Sequence, residues 1–384
     1  MKTPKEIKVL FVTHYRELYG ANRSLLQLML ELRQNGVLPT VLLPFGDTST
    51  KDDLTAELDR HGISYTEAPI RIDKHRDWIK AIPNYAMAAI ERRKAYQAVR
   101  NLNFDIVHSN SSVMSTGAYI AGKAGKPHVW HLREFGRDDY GVRTPFGKWF
   151  QKFIYSGRNT FIAISDNIRD HYRKYIGNQE IRRIYNGIDP TSIKEKIRQN
   201  ERVEICIVGF VRPEKGQMEL IKAADDIANR RGLKNFHVTI VGEGEEDYMD
   251  IVRNYIDSHG LSDHITVAGR RNDVPDLLAK MDIGVMASTH EAFGRVTIEY
   301  MMAGLAVVAS DGGANTEIID DTHTGLIYPS GDSSALADRL EMLISDSDMR
   351  IKVAHDGQSH AMAGFSSKAN SDAIFSLYKE ILVQ

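Results

Sequence analysis

The chain has 384 residues, 42% hydrophobic and 26% charged, with a formal net charge of −2. That length suits two domains of ordinary size, and the balanced charge supplies no global field for nucleic acid. One cysteine, Cys206, excludes an internal disulfide and a cysteine-based zinc site. Within Ile205-Cys206-Ile207-Val208 it reads as a small packing residue. No run of eighteen apolar residues occurs, so no membrane-spanning helix is expected. The apolar run in MKTPKEIKVLFV is too short for a signal peptide, which makes the cytoplasm the default expectation.

Apolar strand-like runs alternate with helical periodicity from end to end, the pattern of an α/β protein with parallel sheets. The first run, Ile7 to Thr13, leads through His14 to Tyr19 into Gly20-Ala21-Asn22. A helix follows with Leu25, Leu26, Leu28, Met29 and Leu32 on one face. A turn there is where α/β folds place ligands. No G-x-G-x-x-G is present, and a lone Gly20 serves equally as a simple turn. The second strand is expected over Thr40 to Pro44, and the third begins near Ile63. Residues 71–100 hold eight Lys/Arg against three Asp/Glu, with Trp78, Tyr85 and Tyr96 interleaved; residues 141–159 are similar in character. Two readings stand: a solvated helix face, or a peripheral membrane surface whose cations meet anionic headgroups at the cytoplasmic face.

Phe104 to His108 is the next strand, followed by the polar Ser109-Asn110-Ser111-Ser112. Pro127 to Glu134 reads as a strand whose carboxyl end presents His131, with Arg133 and Glu134 beside it. A buried, satisfied histidine is the alternative. Asn159 to Ile164 is expected to be the last strand of the first domain, with Ser165 capping the next helix. Domain one then covers residues 1–190 and domain two residues 191–365, with the polar stretch 191–202 as linker. The pattern restarts at Val203 to Gly209 and continues into a loop carrying Arg212 and Lys215. The strands His237–Val241 and His264–Ala268 end in turns holding Gly242 and Arg270.

Asp282 to Ala287 delivers the stretch on which the chain centres, His290 to Gly313. Glu291 closes a loop, Phe293-Gly294-Arg295 opens a helix, and Glu299 lies eight residues beyond Glu291. Eight helical residues advance roughly 12 Å in about two turns, which puts both acids on one side. A helix N-terminus between them offers unpaired N–H groups and partial positive charge to a diphosphate. Two glutamates on a plain amphipathic helix are the bland alternative. Ala306 to Ala309 then reads as a strand buried on both faces, ending at Asp311-Gly312-Gly313, where glycines permit close approach to a ligand.

This order resembles the donor-binding signature of the retaining glycosyltransferases of family 4. Their pattern is glutamate, seven residues, glutamate, with phenylalanine-glycine after the first acid and a glycine turn after the next strand. Asn186-Gly187-Ile188-Asp189 matches the family's hinge-proximal turn. The resemblance implies a GT-B fold, two Rossmann-like doubly wound domains facing across a cleft. The segment 366–384 would return to the first domain through Ile374, Phe375, Leu377, Tyr378, Ile381 and Leu382. A nucleotide-sugar would bind mainly to the second domain, and a saccharide or lipid-linked acceptor to the first.

By the same resemblance, Lys215 neutralises the diphosphate; Phe210 stands where the family places its arginine, and Arg212, two residues later, would reach the phosphates from a re-shaped loop. Arg295 is a further counter-charge. Glu299 accepts from the ribose hydroxyls; Glu291 holds the donor sugar, helped by N–H groups of Phe293 and Gly294. The turns at Gly242 and Arg270 approach the base, while Gly20, Ala21 and Asn22 lie over the phosphates. His131 contacts the sugar near the reacting carbon, so His131 and Glu291 act by orientation and charge. No cofactor or metal is expected. The D-x-D at Asp346-Ser347-Asp348 sits between C-terminal helices, away from any strand end. Two rivals remain, a nucleotide-sugar epimerase or hydrolase of the same fold, and a non-catalytic saccharide-binding partner.

Overall fold

The computed structural model describes residues 6–46, 52–72, 81–136, 159–194, 196–197 and 202–383. The chain divides into two compact units, Met1–Gly187 with Ser367–Gln384, and Ile188–Ser366. Trp78, most of the segment 141–159 and the side chain of Tyr85 lie outside the described residues.

The first unit contains strands β1 (Ile7–Val12), β2 (Val37–Pro44), β3 (Ser64–Ala68), β4 (Ile106–Ser109), β5 (His128–Leu132), β6 (Asn159–Ala163) and β7 (Ile181–Arg183). They form one parallel sheet in the order β3-β2-β1-β4-β5-β6-β7. Alternation along β1 explains its continuous apolar run. Val9 and Phe11 pack with Leu25, Leu28, Met29 and Leu32 of the first helix, Gly20–Gln34, and with Ile374, Leu377 and Tyr378 of the last, Ser367–Val383. Leu10 and Val12 face the opposite core, with Ala95, Val99 and Ile120. A strand buried on both faces has no polar side to show. Leu382 of the last helix is instead exposed. β6 is not the final strand, because β7 follows at the edge. Its sequence, Ile-Arg-Arg, is too short and too charged to register as a strand.

The second unit holds β8 (Val203–Val208), β9 (Phe236–Val241), β10 (Ile265–Gly269), β11 (Ile283–Met286), β12 (Ala306–Ser310) and β13 (Leu326–Tyr328). Its sheet runs β10-β9-β8-β11-β12-β13, again parallel. The Ile188 N–H donates to Phe365 O at 2.9 Å, and Asp189 caps the turn Pro190–Ser192. The second unit thus begins at Ile188, just before the polar stretch expected as a linker. Strand order reverses between β1 and β4 in one sheet and between β8 and β11 in the other. Ligands of open α/β sheets lie outside the carboxyl ends of the strands at such points.

One buried side chain of β5 sets a pH dependence. His128 is wholly buried, with Nδ1 2.7 Å from Asn159 Oδ1 and Nε2 2.8 Å from Ser109 Oγ. Burial pulls its pKa down from 6.5 to about 4. Between those values the unfolded chain binds a proton that the folded chain refuses, so stability falls as pH drops. The contribution of His128, on the order of 3 kcal/mol, is fully present above pH 6.5 and gone below pH 4. His108 and His131 shift in the same direction. Denaturant midpoints are expected to decline from neutral pH to about pH 4.5, and less steeply in His128→Gln. An unchanged slope in that variant would contradict the assignment.

Candidate active site

The loops after β8 and β11 flank the order reversal of the second sheet, and one ion pair joins them. Lys215 Nζ lies 2.9 Å from Glu291 Oε2, with the lysine 27% and the glutamate 17% exposed. Lys215 ends a single turn, Pro213–Lys215, and Gly216 follows in the left-handed region at φ +72°. A Cβ on Gly216 would sit 2.2 Å from Ala287 O, so only glycine brings Lys215 this close to the end of β11. Beyond Glu291, Gly294 at φ +81° precedes the helix Arg295–Met302. Gly294 has no side chain with which to cap that helix, and a helix opening is where an anion is favoured. On it, Arg295 Nε lies 2.9 Å from Glu299 Oε1.

These positions correct the expected spacing. Glu291 is outside the helix, because the left-handed Gly294 breaks helical geometry before Arg295, so a uniform eight-residue helical advance does not apply. Each acid also has a cation of its own, so the arrangement is two acid–cation pairs beside a helix opening. The glycines Gly312 and Gly313 are required by close backbone packing. A Cβ on Gly312 would fall 2.7 Å from Ser288 O, and one on Gly313 2.1 Å from Glu291 O. Ala314 N–H donates to Glu291 O at 2.9 Å. Buried Asn315, passed over in the sequence, accepts from Thr297 Oγ1 at 3.0 Å and donates to Ser310 O at 3.1 Å. It ties the glycine turn to the helix that carries Glu299. A polar residue directly after Gly-Gly-Ala was the available signal.

The other donor-side residues are dispersed. Phe293 is buried and its ring centroid lies 6.3 Å from that of Phe365, so it packs in the core. Arg212 is half exposed, 3.8 Å from Glu214 Oε2. Phe210, 45% exposed, occupies the loop position of the family arginine. Gly242 is at φ +148°, where a Cβ would meet Gly209 O at 1.8 Å; this glycine lets two loops touch. Arg270 is exposed, 3.6 Å from Glu243 Oε1. Asp346 caps the helix Ser347–Gly364 by accepting from Met349 N–H at 2.9 Å.

In the first unit, Gly20-Ala21-Asn22 forms the first turn of a helix and not a loop. The Asn22 side chain is already engaged: it accepts from Thr13 Oγ1 at 2.8 Å and donates to Tyr15 O and Glu17 O. Asn110 Nδ2 reaches Asn22 Oδ1 at 3.4 Å, and Arg133 Nε donates to Asn110 Oδ1 at 2.6 Å. Arg133 also donates to Asn186, the first residue of the Asn-Gly-Ile-Asp turn. Glu134 accepts from Ser111 Oγ at 2.6 Å and from Ser112 N–H at 2.6 Å. His131, wholly buried in β5, has Nδ1 3.1 Å from His108 Nε2 and 3.3 Å from Arg133 Nη2. Burial, then the Arg133 charge and His108, hold its pKa well below the usual range, so the ring is neutral. In the basic segment, Arg71 pairs with Glu91 through two bonds of 2.8 Å, while Met87 and Ile90 are exposed near Arg93 and Lys94.

Two doubly wound parallel sheets of this kind make up the GT-B architecture. A family model for glycosyltransferase family 4 matches residues 19–192, and one for glycosyl transferases group 1 matches residues 189–360. The chain belongs to the family 4 glycosyltransferases. It is 24% identical to an alpha-D-kanosaminyltransferase of Streptomyces kanamyceticus over 62% of its own length and 65% of that protein's. Against the UDP-Gal:alpha-D-GlcNAc-diphosphoundecaprenol alpha-1,3-galactosyltransferase of Escherichia coli it is 25% identical, over 75% and 78% of the two chains. The crystal structure of Anabaena Alr3699/HepE with UDP and glucose superposes with a TM-score of 0.77 at 21% identity, covering 97% and 100%; it shares the fold.

Proposed function

We propose that this chain moves a sugar, with retention and without a metal, from a nucleotide-sugar to a saccharide or lipid-linked hydroxyl. The reading extends to synthesis of a cell-surface polysaccharide or glycolipid. The observation that carries it is the Lys215–Glu291 pair across the β8/β11 reversal, beside a helix opening followed by Glu299. The helix opening and Lys215 take the diphosphate, whose charge grows as it leaves. Glu299 accepts from the ribose diol, and Glu291 orients the sugar. Named relatives that transfer sugars, one of them to a diphosphoundecaprenol-linked acceptor, support the substrate class. Exposed Met87 and Ile90 beside Arg93 and Lys94 support membrane contact by the 71–100 segment.

The test is a nucleotide-sugar panel read by thermal shift, with and without EDTA, followed by NMR of the product anomer. A ligand at 100 times its Kd stabilises by about 2.7 kcal/mol. A shift untouched by EDTA, a product keeping the donor's anomeric configuration, and co-sedimentation with anionic vesicles are expected. Loss of the shift in EDTA or an inverted product would refute the corresponding part. Exposed Phe210 favours one rival, a non-catalytic binder. In that case donor would bind with no sugar transferred.

A further inference from the structure

Donor binding has no use for the buried side chains His108 and Tyr378, yet they lead straight to His131. Tyr378, on the last helix, places its hydroxyl 2.6 Å from His108 Nδ1. His108 Nε2 lies 3.1 Å from His131 Nδ1, and Arg133 Nη2 lies 3.3 Å from that same nitrogen. A guanidinium has donors only, so His131 Nδ1 is an acceptor and carries no hydrogen. His108 Nε2 must then carry one, since two bare nitrogens would repel at that distance. Both rings are neutral, each pushed down by burial first and by Arg133 second. A neutral imidazole has one N–H, so His108 Nδ1 is bare and accepts the Tyr378 hydroxyl hydrogen. By the same count His131 holds its hydrogen on Nε2. That atom is buried and has no hydrogen-bond partner among the described residues. A buried donor without its bond is unfavourable, and an arriving oxygen acceptor would make that bond.

We propose that Tyr378 and His108 are positioning residues which, with Arg133, lock His131 as an Nε2–H donor to an oxygen of the bound sugar or phosphate. His131 then gives a hydrogen bond and takes no proton. The proposal rests on the transferase reading for its kinetics alone; the tautomer is a property of the folded chain.

Protein labelled with 15N-histidine gives the direct test by long-range 1H–15N spectra. His131 is expected to show a bare Nδ1 and a protonated Nε2, unchanged between about pH 6 and pH 8. A protonated Nδ1, or an imidazolium in that range, overturns the proposal. Tyr378→Phe is expected to move the His108 Nδ1 signal toward that of an unbonded nitrogen. His108→Leu leaves only the longer Arg133 contact and should let His131 populate both tautomers. Its kcat should fall about tenfold, the equivalent of one lost hydrogen bond, with the donor KM nearly unchanged. His108→Gln, which restores an N–H donor, should recover most of that loss. A single His131 tautomer in His108→Leu overturns the relay. If wild-type protein transfers no sugar, the transferase reading fails while the spectra still decide the relay.

Discussion

Replacing Glu299 by alanine is expected to remove the nucleotide-sugar thermal shift while leaving the unliganded protein close to wild-type stability. The two halves of that expectation have separate causes. In the free protein Glu299 is paired with Arg295 four residues earlier, and both side chains are more than a fifth exposed. Such pairs contribute about 0.3–0.5 kcal/mol, so losing one barely moves the unfolding midpoint. In the complex, one carboxylate accepting two ribose hydroxyls makes charge-assisted bonds of about 1.5–3 kcal/mol each. Their loss weakens binding by roughly two to four orders of magnitude. Glu299→Gln keeps an acceptor oxygen without the charge and should fall between. A full shift in Glu299→Ala would mean that the ribose is held elsewhere.

Gly313→Ala is expected to damage stability and donor binding together. At φ +71° the backbone is one that side-chain-bearing residues rarely adopt, and the new Cβ would lie 2.1 Å from Glu291 O. Neither atom has room to yield cheaply, because Ala314 N–H holds the same carbonyl at 2.9 Å. The loop carrying Glu291 must move, and with it the contact to Lys215. A cost on the order of 3 kcal/mol in unfolding free energy is expected, with most donor affinity lost. Gly20→Ala makes the control. No atom of the surrounding fold lies within 4 Å of its Cβ position, so little change in stability is expected. Calorimetric titration and urea unfolding of the two variants check both statements.

The contrast between these glycines shows what the sequence does and does not display. Fold class was legible in β1 and β8, whose runs Val9–Val12 and Ile205–Val208 are apolar as strands covered on both faces tend to be. The signature from Glu291 to Gly313 was legible because loop, helix and strand follow in one continuous segment. The pairing of Lys215 with Glu291 was not, because it depends on β8 and β11 becoming neighbours in a sheet. That Gly312 and Gly313 admit the backbone of Ser288 and Glu291 was not legible, because a sequence cannot say whose backbone comes close. The structural bonds of Asn22 were hidden for a related reason: its partners, Thr13 Oγ1 and two carbonyls, are supplied by the turn it closes. β7 escaped notice because an edge strand of three residues needs no apolar periodicity. His108 carried no motif at all, and Tyr378 counted only as part of an apolar face.

The helix opening at Gly294–Arg295 is where the diphosphate is expected to sit. A crystal soaked with a nucleoside diphosphate tests this most directly. The prediction is phosphate oxygens at about 3 Å from backbone N–H groups of the first helical turn, with Lys215 alongside and the ribose on Glu299. A diphosphate bound away from that turn, with Glu299 still paired only to Arg295, would contradict it.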